Sequence, residues 1–86
     1  MRSDYAVVLH FHVAEQLFTI PRRGRAQLMA FFDSLERDPH QSGDYAETDA
    51  DERQNQVKIV GRWAVTYWSD HSVKEVRVVR LEMADA

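Results

Sequence analysis

Four cations, Lys58, Arg62, Arg77 and Arg80, stand close together in the last third of the chain, interleaved with Trp63, Tyr67 and Trp68. Ammonium and guanidinium groups pair with phosphate or carboxylate, and aromatic rings stack on bases. The mixture therefore suits RNA or an acidic protein partner. His71, in the segment Ser69-Asp70-His71-Ser72, adds an imidazole, a group that can move protons to and from a reacting atom. The plainer reading of His71 is a turn residue without a chemical role. His10 and His12 alternate onto one strand face, but no carboxylate stands at ligand spacing from them. No metal site is expected there. The sequence has no glycine-rich phosphate loop and no serine–histidine–aspartate ordering, and no cofactor is implied.

These residues need strands to carry them. β-Branched runs at Val57–Val60, Ala64–Tyr67 and Val76–Val79, punctuated by Gly61 and by Ser69–Ser72, predict three antiparallel strands. Alternation puts Trp63 and Tyr67 on one face and Trp68 on the other, so some of these rings belong to the core. Arg77 and Arg80, three apart, are expected on opposite faces, which leaves at most one of them to any single site.

Upstream, Tyr5–Val13 reads as a first strand with Tyr5, Val7, Leu9, Phe11 and Val13 facing the core. Residues 14–20 read as a single helical turn carrying Leu17 and Phe18 inward. Pro21 suits the first position of a helix, where its missing N–H is not needed. Leu28, Phe32 and Leu35 then make one apolar stripe of an amphipathic helix, which Asp38-Pro39 ends at Arg37. Residues 40–43 form a loop, 44–50 an edge strand or extended arm, and 51–55 a turn. The expected fold is α+β: one domain over residues 1–86, an antiparallel sheet of about four strands packed on one main helix.

Composition narrows the function classes. A chain of 86 residues, 44% hydrophobic and without cysteine, folds by core burial with no disulfides or thiolate metal sites. No apolar run approaches membrane length and no signal pattern opens the chain, so a cytoplasmic protein is expected. The net charge of −3 hides a division between an acidic segment and a basic one. Residues 44–52 hold five acids and no cation, while residues 53–80 hold six cations and two acids. Either the basic segment faces a partner, or the acidic segment neutralises it within the molecule.

The ordered series Leu35-Glu36-Arg37-Asp38-Pro39, Gly43-Asp44-Tyr45, Gln56-Val57-Lys58-Ile59, Gly61 through Trp68 and Val73 through Val78 resembles the RelE/ParE superfamily of type II toxin–antitoxin toxins. The resemblance implies a β–α–α–β–β–β domain wrapped by a cognate antitoxin. One branch of that family cuts mRNA in the ribosomal A site without a metal, which represses translation. The ParE branch inhibits DNA gyrase. Cutting requires cations around the phosphate and an acid–base pair for attack by the ribose 2′-hydroxyl. The resemblance places Lys58 at the basic position before the glycine and Arg62 close to the arginine after it. On that reading Lys58, or His71 by its own chemistry, moves protons and Arg62 holds the phosphate. Trp63, Tyr67, Arg77 and Arg80 would bind RNA or the partner. The family order of glycine, aromatic, arginine is here Gly61-Arg62-Trp63, and the tail Leu81-Glu82-Met83-Ala84-Asp85-Ala86 is acidic. A third reading follows from these departures: a member that keeps the fold and antitoxin binding alone.

Overall fold

A computed structural model describes residues 4–84. The elements run β1 (Ala6–Leu9), α1 (Phe11–Leu17), α2 (Arg22–Arg37), β2 (Tyr45–Thr48), β3 (Gln54–Val60), β4 (Trp63–Asp70) and β5 (Glu75–Met83). The strands form one five-stranded sheet in the order β1-β5-β4-β3-β2. β1 lies parallel to β5 and the other pairs are antiparallel, so the sheet is mixed. The α+β class stands, with five strands and two helices in place of about four strands and one main helix. Asp44–Ala50 resolves as an edge strand, β2, paired to β3. Among the described residues no helix is long and apolar enough to cross a membrane.

Both helices cover one face. Leu28, Phe31, Phe32 and Leu35 of α2 and Val13 and Leu17 of α1 meet Val65, Tyr67, Val76, Val78 and Leu81 of the sheet. α2 runs from Arg22, with Pro21 as its N-cap in an extended conformation (φ −54°, ψ 151°) and not as its first helical residue, and it stops at Asp38 before Pro39 as expected.

The expected strand Tyr5–Val13 stops at Leu9, and Phe11 opens α1. Its alternating pattern is equally a helical one once His10 caps the next turn, because Val13 and Leu17 are four apart. Phe11 and Phe18 are 79% and 83% exposed, so neither points inward as the pattern predicted. α1 takes over the edge that β1 leaves. His12 Nε2 donates to the Val79 carbonyl at 3.0 Å and Gln16 Nε2 to the Leu81 carbonyl at 2.9 Å. These side chains satisfy β5 where the strand ladder runs out.

Thr66 pairs with Arg80 while Tyr67 pairs with Val78, which makes Val79 the extra residue of a β-bulge. The bulge overturns one expectation. Arg77 and Arg80 face the same side, opposite Trp68 and Thr66 on the helix-free face, because the inserted residue restores the alternation.

Candidate functional site

The helix-free face gathers the cations but spends them internally. Arg80 bridges to Glu47 of β2 and to Glu82 at 3.2 Å. Arg77 reaches Glu75 at 2.8 Å and Asp70 at 3.9 Å, and Arg53 reaches Asp49 at 3.9 Å. Under this layer Val57, Ala64 and Thr66 are buried although no helix covers them. The arginine stems supply the cover.

At one end of the sheet lies a cleft of about 390 Å³, lined by His40, Arg53, Gln54, Gln56, Trp68 and His71 among others. Three local devices build it. The chain leaving α2 is pinned to β4, with Ser69 Oγ donating to the Pro39 carbonyl at 2.6 Å and Tyr67 Oη to the Gln41 carbonyl at 3.2 Å. His40 is held between these anchors and stacks on His71, ring centroids 4.8 Å apart. The turn after β4 is shaped by Ser72 Oγ donating to Asp70 Oδ1 at 2.7 Å, which holds the Asp70 carboxyl below its usual range.

Tyr5 Oη lies 2.6 Å from His71 Nδ1. With Nδ1–H donating to the phenol oxygen, the neutral ring presents Nε2 as a base, and the imidazolium formed when Nε2 takes a proton is the matching acid. Across the cleft the Arg53 guanidinium lies 4.0 Å above the Trp68 ring, and Arg77 lies 5.7 Å from the same ring. Asp49 fixes the loop that carries Arg53. Its Oδ1 accepts from the backbone N–H of Arg53 and of Asp51, each at 2.9 Å, and these bonds, the Arg53 one foremost, lower its pKa. A cation and two imidazoles on one cleft, with the Tyr5 phenol bonded to one of the imidazoles, can bind an anion and exchange protons with it.

No family model matches the sequence, and no curated protein matches it either. Solved structures do. RelE in the archaeal RelE–RelB complex of Pyrococcus horikoshii superposes with a TM-score of 0.76 at 21% identity, covering 92% of this chain and 93% of that one. The toxin–antitoxin complex RelBE2 of Mycobacterium tuberculosis gives a TM-score of 0.72 at 18% identity, covering 92% of this chain and 96% of that one. The chain has the RelE fold.

Within the RelE fold the expected site residues are dispersed. Lys58 opposes Val65, so it lies on the helix side of the sheet, where it pairs with Asp44 at 3.6 Å. Asp44 is itself fixed by the Ile59 N–H at 2.7 Å, which lowers its pKa ahead of the Lys58 charge. Arg62 is not on a strand. Val60 pairs with Trp63, leaving Gly61 and Arg62 as a two-residue hairpin turn with Gly61 at φ +60°. His71 is in the turn at the other end of β4, a strand of 8 residues. At about 3.3 Å per residue, Arg62 and His71 are roughly 25–30 Å apart along the strand.

Tyr67 is 1% exposed and belongs to the core. Trp63 packs against the same core, and Trp68 alone of the three rings stands in the cleft. Sequence reasoning missed Tyr5, His40 and Arg53, which join His71 from three distant segments. The hint was His40 directly after Asp38-Pro39, a residue that a helix stop must present at an end of the sheet.

Proposed function

We propose that the chain is the toxin of a type II toxin–antitoxin pair, held by a cognate antitoxin, acting in the cytoplasm on ribosome-bound mRNA. The observation that carries this reading is the RelE fold over nearly the whole chain, shared with two structures of toxin–antitoxin complexes. Cutting would take place at the cleft, without a metal or other cofactor. His71 Nε2 would exchange the proton of the ribose 2′-hydroxyl or of the leaving 5′-oxygen, Arg53 would neutralise the phosphate, and Trp68 would receive a base. Expression without a partner, followed by transcript-end mapping, tests this. Growth arrest with new ends in ribosome-bound messages is expected. His71→Ala should lower cutting about 100-fold or more, the usual weight of an acid–base group. Lys58→Ala and Arg62→Ala, remote from the cleft, should lower it far less.

A specific observation favours a second reading, in which the fold binds an antitoxin and cuts nothing. Arg53, Lys58, Arg77 and Arg80 each have a carboxylate of the same chain as a partner. Antitoxin binding with no arrest and no new transcript ends would establish it. DNA damage with intact messages would instead assign a gyrase inhibitor.

A further inference from the structure

The uncompensated positive charge of this molecule is not on its sheet. Among the described residues Arg22, Arg23, Arg25, Arg37 and Arg62 make no ion pair, whereas Arg53, Lys58, Lys74, Arg77 and Arg80 all do. Arg37 lies at the far end of α2, while three of the others stand in its first turn, which carries no acid. Arg62 tops the β3–β4 turn. Between them opens a pocket of about 240 Å³ with Ile20, Trp63 and Met83 as apolar walls, Arg23, Arg62 and Gln27 as polar ones, and no carboxylate.

Gly24 brings the helix close to this pocket. A β-carbon there would stand 3.1 Å from Ile20 Cγ2 and 3.5 Å from Trp63 Nε1, so the indole N–H edge lies against the glycine. Among the described residues that indole N–H makes no hydrogen bond, while the ring packs against the core.

We infer that this pocket, with the Arg23 and Arg62 that line it, docks an acidic segment of a partner protein, with one aliphatic side chain seated in the pocket and flanking carboxylates on the guanidinium groups. Charge complementarity sets the sign of the partner. The apolar walls and the volume, enough for one leucine-sized side chain, set its anchor. Ile20, Pro21 and Met83 give the pocket aliphatic walls that suit a hydrocarbon side chain better than a base, which favours a peptide over RNA. Identification of the partner with an antitoxin rests on the function proposed above; the surface itself does not.

The test uses the full chain and a short fluorescein-labelled peptide of alternating glutamate and leucine, with a labelled oligouridylate of equal charge beside it. Anisotropy should show peptide binding that Arg62→Glu or Arg23→Glu weakens about tenfold or more, as loss of a central interface arginine does. Arg37→Glu, at the far end of α2, makes the same change in net charge and should alter affinity by less than about twofold. The peptide should also shift the Trp63 indole N–H resonance and leave that of Trp68 unchanged. Equal weakening by Arg37→Glu, a response at Trp68, or oligouridylate bound through Arg62 in place of the peptide would each overturn the inference. Circular dichroism checks that each variant folds, and two independent arginines keep the test decisive if one does not. A chain that arrests growth in cells yet fails the peptide test overturns this inference alone.

Discussion

Tyr67 carries the sharpest residue-scale consequence. Its buried phenol donates to the Gln41 carbonyl, and burial, with Asp44 and Asp38 adding repulsion, pushes its pKa up to about 12 from an ordinary 10.0. The folded state thus holds the proton more tightly than the unfolded chain. Its contribution to stability is complete below pH 10 and is lost as pH rises from there towards 12. Urea unfolding at pH 9 and at pH 11.5 should show that loss in the parent, and a smaller one in Tyr67→Phe. At neutral pH the same substitution should cost about 1 kcal/mol for the missing hydrogen bond. That Tyr67 and Trp63 share a face could be read from their spacing, and so could the core role of at least some rings. The assignment of Tyr67 to a binding surface could not survive the packing, because it is buried under the helices, whereas Trp63 at the start of β4 also lines the pocket beside Arg62. The cleft residues were illegible for another reason: Tyr5, His40 and His71 are joined by tertiary contacts alone, and no spacing in the chain encodes them.

Elements were legible where local chemistry decides them and illegible where a neighbour does. Pro21, Asp38-Pro39 and the Leu28–Phe32–Leu35 stripe announced α2, and the three β-branched runs announced β3, β4 and β5. The end of β1 was hidden because alternation and helical spacing overlap across residues 9–17. The bulge at Val79 was hidden because Val78 and Val79 both suit a strand, and only pairing reveals which is extra. Replacing His12 and Gln16 together by alanine removes two bonds to β5 carbonyls and should destabilise the chain by about 1–3 kcal/mol, with an unchanged urea m value. Gly43 is a second element-scale constraint. A β-carbon there would fall 2.4 Å from the Val57 carbonyl oxygen, which is backbone and cannot swing aside. Gly43→Ala should therefore cost about 1–3 kcal/mol by overpacking and weaken the β2–β3 edge first, visible as faster amide exchange at Val57.

At the scale of the whole molecule, the acidic segment and the basic sheet neutralise one another. Asp44 meets Lys58, Glu47 meets Arg80 and Asp49 meets Arg53. The division of charge was plain in the sequence; which of its two readings holds for the sheet required the pairing of β2 with β3. Asp44, Asp49 and Asp70 all have lowered pKa values, led respectively by the Ile59 N–H, the Arg53 N–H and the Ser72 hydroxyl. Carboxyls more acidic in the folded state stabilise it above their unfolded pKa and cease to do so as pH falls through their folded one. Thermal melting should be level between about pH 5 and 8 and decline below about pH 4. Asp49→Asn should shorten that decline.

One feature of the sheet reaches into the life of the chain before it is folded. β1 finds its partner in β5, Ala6 opposite Glu75 and Leu9 opposite Val78. A nascent polypeptide that has made everything up to β4 still lacks the neighbour its first strand requires, and contacts so distant in sequence form late. The sheet that carries both the cleft and the pocket can therefore close only after β5 has left the ribosome.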